Sequence, residues 1–234
     1  MSERGFDILL EDDAVLAVVK PVGIATQAPA GIDSLEVRIR KYLASPNDCA
    51  EIYLGIPHRL DRPVSGVMVF AKTRRAARQL SRQFERRQIR KRYRLAVEGH
   101  VDPTEGTWTD HLWKVYGQPR AMVVESAHPQ AQQAVLHYRT VGSHRHGAWL
   151  EVELETGRTH QVRVQASSRG HPVVGDELYG STIPFGPPAA DERMRAIALH
   201  ACSLTFRHPT TGEEITLVAS TGDTWNELDL KAAK

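Results

Sequence analysis

Short apolar runs and alternating segments recur along the chain, and most of them predict β-strands. Residues 14–19 and 67–71 are uninterrupted apolar runs bounded by polar or turn-forming residues, which predicts buried strands. Residues 91–99 and 150–154 alternate apolar with charged side chains, which predicts strands with one solvated face. The segment 204–218 places apolar residues on both sides of a turn-rich stretch and predicts a hairpin.

Helical spacing is confined to a few segments. Apolar residues recur every three or four positions in 34–43 and again after Thr73, a candidate N-cap, and a short third helix is expected after Thr159. Residues 46–57 are predicted to form a loop. Because strands outnumber helices and follow one another directly, the pattern predicts an α+β fold with a mixed, largely antiparallel sheet and flanking helices. No linker divides the chain, so we expect a single domain over residues 1–234.

The net charge of the chain hides a strong polarity. The formal total is +2, yet residues 72–94 contain eleven Lys and Arg side chains and a single acid, Glu85. That segment carries +10, and the rest of the chain carries −8. A concentrated basic patch on an acidic body favours a polyanionic partner, whereas an ordinary solvated helix face mixes the two signs. Nucleic acid is therefore the preferred partner, and a solvated face is the alternative.

Composition excludes several classes of protein. Hydrophobic residues make up 41 % of the chain and charged residues 25 %, as in ordinary globular proteins. The N-terminal segment lacks the basic start and apolar run of a secretory signal, and no apolar stretch approaches the roughly 20 residues of a membrane helix. Cys49 and Cys202 are too far apart in sequence for a CxxC site. The eleven histidines form no zinc motif, and no glycine-rich nucleotide motif is present. We expect a soluble, cytoplasmic protein without metal or cofactor.

Three groups of residues could carry chemistry. Asp61 lies between Arg59 and Arg62 in a loop before a predicted strand, where nearby cations would keep its carboxylate ionised. An ionised carboxylate can serve as nucleophile or base, although a loop salt bridge explains the same pattern. The segment 156–163 combines backbone amides, arginines and a glutamine suited to phosphates or a base edge, with a simple capped helix as the alternative. Tyr93 lies in the most basic stretch and is either a core residue or a catalytic one.

Six segments, in this order along nearly the whole chain, resemble the RluA family of pseudouridine synthases. They are VVKPVGI at 18–24, HRLDRPVSGVMVFAKT at 58–73, RKRYRLAVEGH at 90–100, ETGRTHQVRVQ at 155–165, GHPVVGDELYG at 170–180 and LHACSLTFRHPTTGE at 199–213. Any one of them could arise by chance, but six in order are specific. Val64 and Leu178 stand where Thr and a basic residue are usual, and these departures concern substrate details only.

The resemblance implies a fold, a reaction and roles for individual residues. The fold is the pseudouridine synthase fold with an RNA-binding cleft. The reaction, part of rRNA or tRNA processing, is a cofactor-free isomerisation of uridine to pseudouridine. Asp61 would be the essential carboxylate, and Arg163 would pair with it and orient it. Tyr93 would lie against the uracil and could act as a general base. The remaining residues expected to bind RNA are Arg59, which would fill the gap left by the target nucleotide, and Arg62, Arg158, His160, Gln161, Arg82, Arg86 and Arg90.

The same resemblance leaves mechanism and substrate open. Asp61 could attack C1′ as a nucleophile, or remove a proton from C2′ to give a glycal. Because the first core motif begins near residue 14, we expect a catalytic domain only, without the N-terminal S4-like domain of many relatives, and we expect it to act as a monomer. Two rival hypotheses are a catalytically inactive RNA-binding protein and an aspartate-dependent glycoside or nucleoside hydrolase. The hydrolase is disfavoured because such enzymes usually use two carboxylates.

Overall fold

The computed structural model describes residues 4–44 and 52–232, and the chain forms two compact units. The first unit comprises Met1–Arg90, Ala190–Met194 and Ala201–Ser220, and the second comprises Lys91–Ala189, Arg195–His200 and Thr221–Lys234. Since each unit draws on several segments of the chain, no linker marks the division. The single domain expected over residues 1–234 stays a prediction. Of the loop predicted at 46–57, residues 46–51 lie outside the described residues, and 52–57 contain no helix or named strand.

The first unit is a twisted sheet flanked by two helices. Its strands follow the order β1, β2, β3, β9, and β10 pairs with β9. The pairings of β1 with β2, β2 with β3 and β9 with β10 are antiparallel. The elements are β1 (Asp7–Glu11), β2 (Val15–Lys20), α1 (Leu35–Leu43), β3 (Ser65–Ala71), α2 (Arg74–Glu85), β9 (Leu199–Arg207) and β10 (Glu214–Val218).

Burial on both faces explains the uninterrupted apolar runs of β2 and β3. Val15 and Val69 pack against one side of α2 in a core that includes the fully buried Leu80. Thr73 begins α2 as predicted, because its side chain accepts a hydrogen bond from the amide N–H of Ala76 at 3.1 Å. The apolar stripe of this helix therefore fixes which of its side chains point to solvent.

The second unit is an antiparallel sheet with one short helix. Its strands follow the order β4, β8, β7, β5, β6, and β11 pairs with β7. The elements are β4 (Arg90–Glu98), β5 (Glu105–Lys114), β6 (Ala121–Val124), β7 (Gln132–His144), β8 (Gly147–Leu154), α3 (Gln161–Ser167) and β11 (Lys231–Ala232), with 3₁₀ turns at Glu177–Tyr179 and Asp223–Leu228. A further 3₁₀ turn, Glu192–Met194, belongs to the first unit. The predicted α+β class and the predicted hairpin around 208–212 are both confirmed.

Membrane-crossing features were also assessed for the described ranges. Within residues 4–44 and 52–232, no helix combines the length and the apolar character needed to cross a membrane.

Candidate active site

The loop that contains Asp61 is anchored on both sides of the aspartate. On one side, the main chain of Leu60 exchanges two hydrogen bonds with the hydroxyl of Thr26, at 2.9 and 3.2 Å. On the other side, the carbonyl of Arg62 accepts the amide N–H of Gly23 at 2.9 Å. A turn closed by the amide of Val64 and the carbonyl of Asp61 follows at once. The half-buried Asp61 is therefore presented by a loop whose backbone has little freedom.

A fully buried lysine lies beneath this loop. Lys20 ends β2, and its ammonium donates to the carbonyl oxygens of Pro21 at 2.8 Å and Arg62 at 3.2 Å. Burial lowers the pKa of Lys20 to about 7, and the neighbouring Asp61 carboxylate acts in the opposite direction. The sequence analysis assigned Lys20 no role, although VVKPVGI was among the segments that carry the resemblance. The Lys20 ammonium places a positive charge next to Asp61.

His58, in the segment before β3, is held by a hydrogen bond and a ring contact. The ring nitrogen Nε2 of His58 accepts the amide N–H of Val69 at 3.0 Å, and its ring stacks on Phe84 of α2 with centroids 4.7 Å apart. Gly66 has φ +126°, and a Cβ there would lie 2.3 Å from the carbonyl oxygen of Ala201. Only glycine fits that close approach of two backbones. These contacts connect the Asp61 loop to the basic helix and to the sheet.

In the second unit, Arg163 forms a buried ion pair that the sequence did not predict. Arg163 is 4 % exposed and Asp176 is 1 % exposed. The guanidinium donates through Nε at 2.6 Å and Nη2 at 2.8 Å to the two carboxylate oxygens of Asp176. This bidentate geometry fixes the plane of the guanidinium group. Asp176 is thus a partner of Arg163, and its place in GHPVVGDELYG was the available signal.

Tyr179 packs against the same arginine and links it to its surroundings. The ring centroid of Tyr179 lies 5.0 Å from the Arg163 guanidinium carbon. Its hydroxyl lies 2.8 Å from Nδ1 of His160 and accepts the amide N–H of Ala121 at 2.8 Å. The buried cluster therefore joins helix α3, the 3₁₀ turn and the β5–β6 hairpin.

The turn before α3 differs from the prediction for Thr159. The N-cap is His160, which has φ +54° and forms no side-chain cap bond. The amide group of Gln161 organises this turn instead: its oxygen accepts from the Thr156 hydroxyl at 2.7 Å and from the Arg158 amide at 3.0 Å, and its nitrogen donates to the Val135 carbonyl at 3.1 Å. Gln161 is also buried, and the RNA contact expected of its side chain stays a prediction.

The basic segment 72–94 is less positive in the fold than in the sequence. In strand β4, Arg92 and Arg94 lie opposite Glu153 and Glu151 of β8 and pair with them at 3.0 and 3.3 Å. Two further ion pairs join Lys72 to Glu11 and Arg90 to Glu214, each at 3.0 Å. The sequence overestimated the positive charge of this segment, because sheet register brings acids that are distant in sequence next to its cations. Arg90 keeps its place as a candidate RNA contact, since so exposed a pair is weak.

The unpaired positive charge is concentrated on helix α2 and the residues that follow it. Six exposed arginines of this segment form no ion pair in the part of the chain that the structure describes: Arg74, Arg75, Arg78, Arg82, Arg86 and Arg87. The predicted RNA contacts Arg82 and Arg86 belong to this group. Arg59 is exposed and Arg62 half-buried in the first unit, whereas Tyr93 is half-buried in the second, opposite Val152. Asp61 likewise belongs to the first unit, and Arg163 to the second.

The family of the chain is shown by its match to a family model. Residues 14–168 match the model of the RNA pseudouridylate synthase family, a span that includes Asp61, Tyr93 and Arg163. The chain therefore belongs to this family, and the resemblance drawn from the six segments is confirmed.

Among individual relatives, the chain is similar to an uncharacterised RNA pseudouridine synthase of Synechocystis, with 36 % identity over 217 residues that cover 91 % of this chain and 64 % of that protein. It is also similar to the ribosomal large subunit pseudouridine synthase D of Haemophilus influenzae, with 33 % identity over 229 residues, 95 % of this chain and 69 % of the relative. The chain thus spans about two thirds of the length of these relatives.

Solved structures support the fold. The human protein described as RNA pseudouridylate synthase domain containing 4 superposes with a TM-score of 0.75 at 24 % identity, covering 97 % of this chain and 95 % of that chain. A second human protein, RNA pseudouridylate synthase domain containing 1, gives a TM-score of 0.72 at 23 % identity, covering 94 % and 85 %. The pseudouridine synthase fold expected from the sequence is confirmed.

Proposed function

We propose that this protein isomerises specific uridines in ribosomal or transfer RNA to pseudouridine, with Asp61 as the catalytic carboxylate. The observation that carries the proposal is the Asp61 loop. Its backbone is bonded on both sides of the aspartate, and it lies over the buried Lys20 ammonium. A carboxylate held in this way is pre-organised for reaction at a carbon atom, which a mobile surface carboxylate is not.

The reaction needs few catalytic groups. The N1–C1′ bond of the nucleotide breaks, the uracil turns, and C5 joins C1′. C5 then loses its proton and N1 gains one, so atoms balance without an oxidant or cofactor. We propose that Asp61 acts at C1′ as a nucleophile or at C2′ as a base, and that Tyr93 lies against the extruded uracil. An aromatic ring can stack on such a base, and tyrosine's ordinary pKa near 10 fits a late removal of the acidified C5 proton.

In this proposal Arg163 is held in place by Asp176 and interacts with Asp61. Its bidentate pair with Asp176 holds the guanidinium rigidly in place. We propose that the group so held pairs with the Asp61 carboxylate and keeps it ionised and oriented. Asp176 and Tyr179 would then be positioning residues, because they contact the arginine and not the substrate.

The charge pattern of α2 supports RNA as the substrate. The first turn of this helix contains no acid and begins with Arg74 and Arg75. Cations at a helix N-terminus oppose the helix dipole and cost stability. Helix stability therefore does not explain this arrangement, whereas the binding of phosphates does. We propose that Arg82, Arg86 and their neighbours contact the RNA backbone, and that Arg59, Arg62, Arg158 and His160 contact the RNA nearer the target.

The test is a map of pseudouridine in rRNA and tRNA from cells with and without the gene. We expect one or a few pseudouridines to disappear and to return only with the wild-type gene, not with Asp61→Asn. Full rescue by Asp61→Asn would overturn the assignment of the aspartate. Unchanged maps in both RNAs would favour the inactive RNA-binding protein.

A second measurement separates isomerisation from hydrolysis. Purified protein is incubated with RNA labelled in the uracil ring, and free uracil is measured beside pseudouridine. We expect label only in pseudouridine, because the base must remain bound while it turns. Release of free uracil in proportion to protein would support the hydrolase instead.

A further inference from the structure

A cleft beside the β5–β6 hairpin has a lining that the proposed reaction does not use. It lies wholly in the second unit and has a volume of about 470 Å³. That volume falls within the range of roughly 300–1,000 Å³ that is typical of small-ligand sites. The side chains that matter for its chemistry are Trp113, Lys114, Tyr116, Gln130 and Arg158.

Tyr116 is displayed to solvent by a tight turn at the tip of the hairpin. The turn is closed by the amide of Gln118, which donates to the carbonyl of Val115, and Gly117 supplies the left-handed φ of +71°. Tyr116 itself is 95 % exposed. A tyrosine with so little burial adds almost nothing to folding, and its ring is accessible to a ligand.

Trp113 forms a fixed wall of the same cleft. Its indole N–H donates to the side-chain oxygen of Gln130 at 2.7 Å, and its ring packs on His128 with centroids 4.8 Å apart. These two contacts hold a half-buried aromatic surface in one orientation. An aromatic surface that is already ordered binds a planar ligand at a low entropic cost.

The charge of the lining selects the kind of ligand. Among the described residues that line it, Lys114 and Arg158 are the charged ones, and none is Asp or Glu. Arg158 is oriented by a hydrogen bond from Nε to the carbonyl of Gln133 at 3.0 Å. Two cations beside aromatic rings suit a ligand with a planar base and a phosphate, which single-stranded nucleic acid supplies in every residue.

We infer that this cleft is a subsite for an unpaired nucleotide of the RNA substrate. Its base would stack on Tyr116 against the Trp113 wall, and its phosphate would lie between Lys114 and Arg158. The inference rests on the proposed function, and it adds a base-stacking contact to the phosphate contacts proposed for α2. The turn that contains Arg158 leads directly into α3, so the same segment carries a residue of the subsite and Arg163.

The first test compares three single variants in their affinity for a short single-stranded RNA. Stacking of one base on an aromatic ring is worth about 1–3 kcal/mol, so Tyr116→Ala should weaken binding by roughly 5- to 150-fold. Tyr116→Phe keeps the ring and should bind like the wild type. Met122→Ala is the matched control, because Met122 is 43 % exposed in the same hairpin but does not line the cleft. Equal affinity of Tyr116→Ala and the control would overturn the inference.

Salt dependence separates the two kinds of contact. Lys114→Gln should reduce the slope of log affinity against log salt by about 0.7, the value for one phosphate contact with a single strand. Tyr116→Ala should lower affinity and leave that slope unchanged. A changed slope in Tyr116→Ala together with an unchanged slope in Lys114→Gln would contradict the assigned roles.

Photocrosslinking keeps this test independent of activity. An RNA that contains 4-thiouridine should crosslink to the peptide with Trp113 and Tyr116, and crosslinks found only elsewhere would exclude the subsite. If the wild type forms pseudouridine but Tyr116→Ala binds and modifies RNA normally, the subsite fails and the proposed function stands. If no RNA is modified but Tyr116→Ala still loses affinity and the crosslink, the subsite stands and the proposed function fails.

Discussion

Two buried cations, one in each unit, are stabilised in different ways. Lys20 in the first unit faces two carbonyl oxygens and the charge of Asp61. Arg163 in the second unit donates hydrogen bonds to both oxygens of the buried Asp176 carboxylate. Both side chains are almost completely removed from solvent. The difference lies in whether the buried positive charge has a full counter-charge in direct contact.

That difference determines how the two charges respond to their surroundings. A lysine that lacks a carboxylate partner in direct contact can release its proton, and burial lowers the pKa of Lys20 to about 7. An arginine keeps its proton under all ordinary conditions, and its planar fork matches a carboxylate. The Lys20 charge therefore depends on pH and on Asp61, whereas the Arg163 charge is permanent and its position is fixed by Asp176.

The largest effect should come from Asp61→Asn, which removes the proposed catalytic group and the charge that Lys20 faces. We expect pseudouridine formation to fall by at least about 10²–10⁴-fold, the range for loss of a positioned acid–base group. Affinity for RNA should change little, because the α2 arginines are untouched. Single-turnover kinetics and a binding titration measure the two quantities separately. Near-normal turnover in this variant would exclude Asp61 as the catalytic carboxylate.

The next largest effect should come from Asp176→Asn, which leaves the Arg163 charge buried without its carboxylate. Breaking a buried ion pair by removing one partner costs about 3–5 kcal/mol. We expect the free energy of unfolding to fall by that amount in urea titrations. Activity should also fall, because the guanidinium loses its fixed orientation.

A double variant distinguishes charge from packing at this pair. Replacing both partners with apolar residues, as in Arg163→Met with Asp176→Leu, should recover part of the lost stability, since neither charge of this buried pair remains. Activity should not recover, because the proposed partner of Asp61 is still missing. If the stability losses of the single variants Arg163→Met and Asp176→Leu simply add in the double variant, the ion pair is not the source of the effect.

How far the sequence predicts these arrangements depends on the range of the interactions. Local patterns were sufficient for β2, β3 and α2, because apolar runs and a Thr73 cap act within a few residues. Strand β7 was not predicted, although Ala134, Leu136 and Tyr138 alternate inward along it. The apolar Val135 lies between the first two of them and is half-buried, so the alternation of apolar and polar residues that marks a strand is broken.

Ion pairs between distant segments were the least predictable feature. The partner of Arg163 lies thirteen positions further along the chain, and that of Arg92 sixty-one positions away. Neither could be identified without the fold, because sheet register and turn geometry choose the partner. This is why the sequence suggested a uniform basic patch, whereas the structure separates the paired β4 arginines from the unpaired α2 arginines.

A smaller effect is expected for Lys20→Met, which removes the charge but keeps most of the volume. The carbonyl of Pro21 would lose its buried donor, at a cost of about 1–3 kcal/mol for a group left unsatisfied, whereas the carbonyl of Arg62 keeps the amide N–H of Gly23. Part of this loss is offset because the variant no longer buries a charge. We therefore expect a smaller fall in unfolding free energy than for Asp176→Asn, measured in the same urea titration. A larger fall would reverse the ranking of the two cations.

The most diagnostic effect, and the smallest when taken per pH unit, is a dependence of stability on pH. The pKa of Lys20 is about 7 in the folded protein against 10.5 for an ordinary lysine, so between these values the unfolded chain binds more protons. Unfolding free energy should therefore rise with pH across this window, by at most about 1.4 kcal/mol per pH unit from this group. The gain is complete above pH 10.5 and is lost as the pH falls through 7.

Lys20→Met isolates this contribution, because every other titrating group remains. The difference in unfolding free energy between wild type and Lys20→Met should grow in favour of the wild type from pH 7 towards pH 10. No comparable slope should separate wild type from Arg163→Met, since arginine keeps its proton throughout. A difference between wild type and Lys20→Met that stays flat over this range would mean that the buried lysine keeps its proton. Lys20 would then be as permanently charged as Arg163.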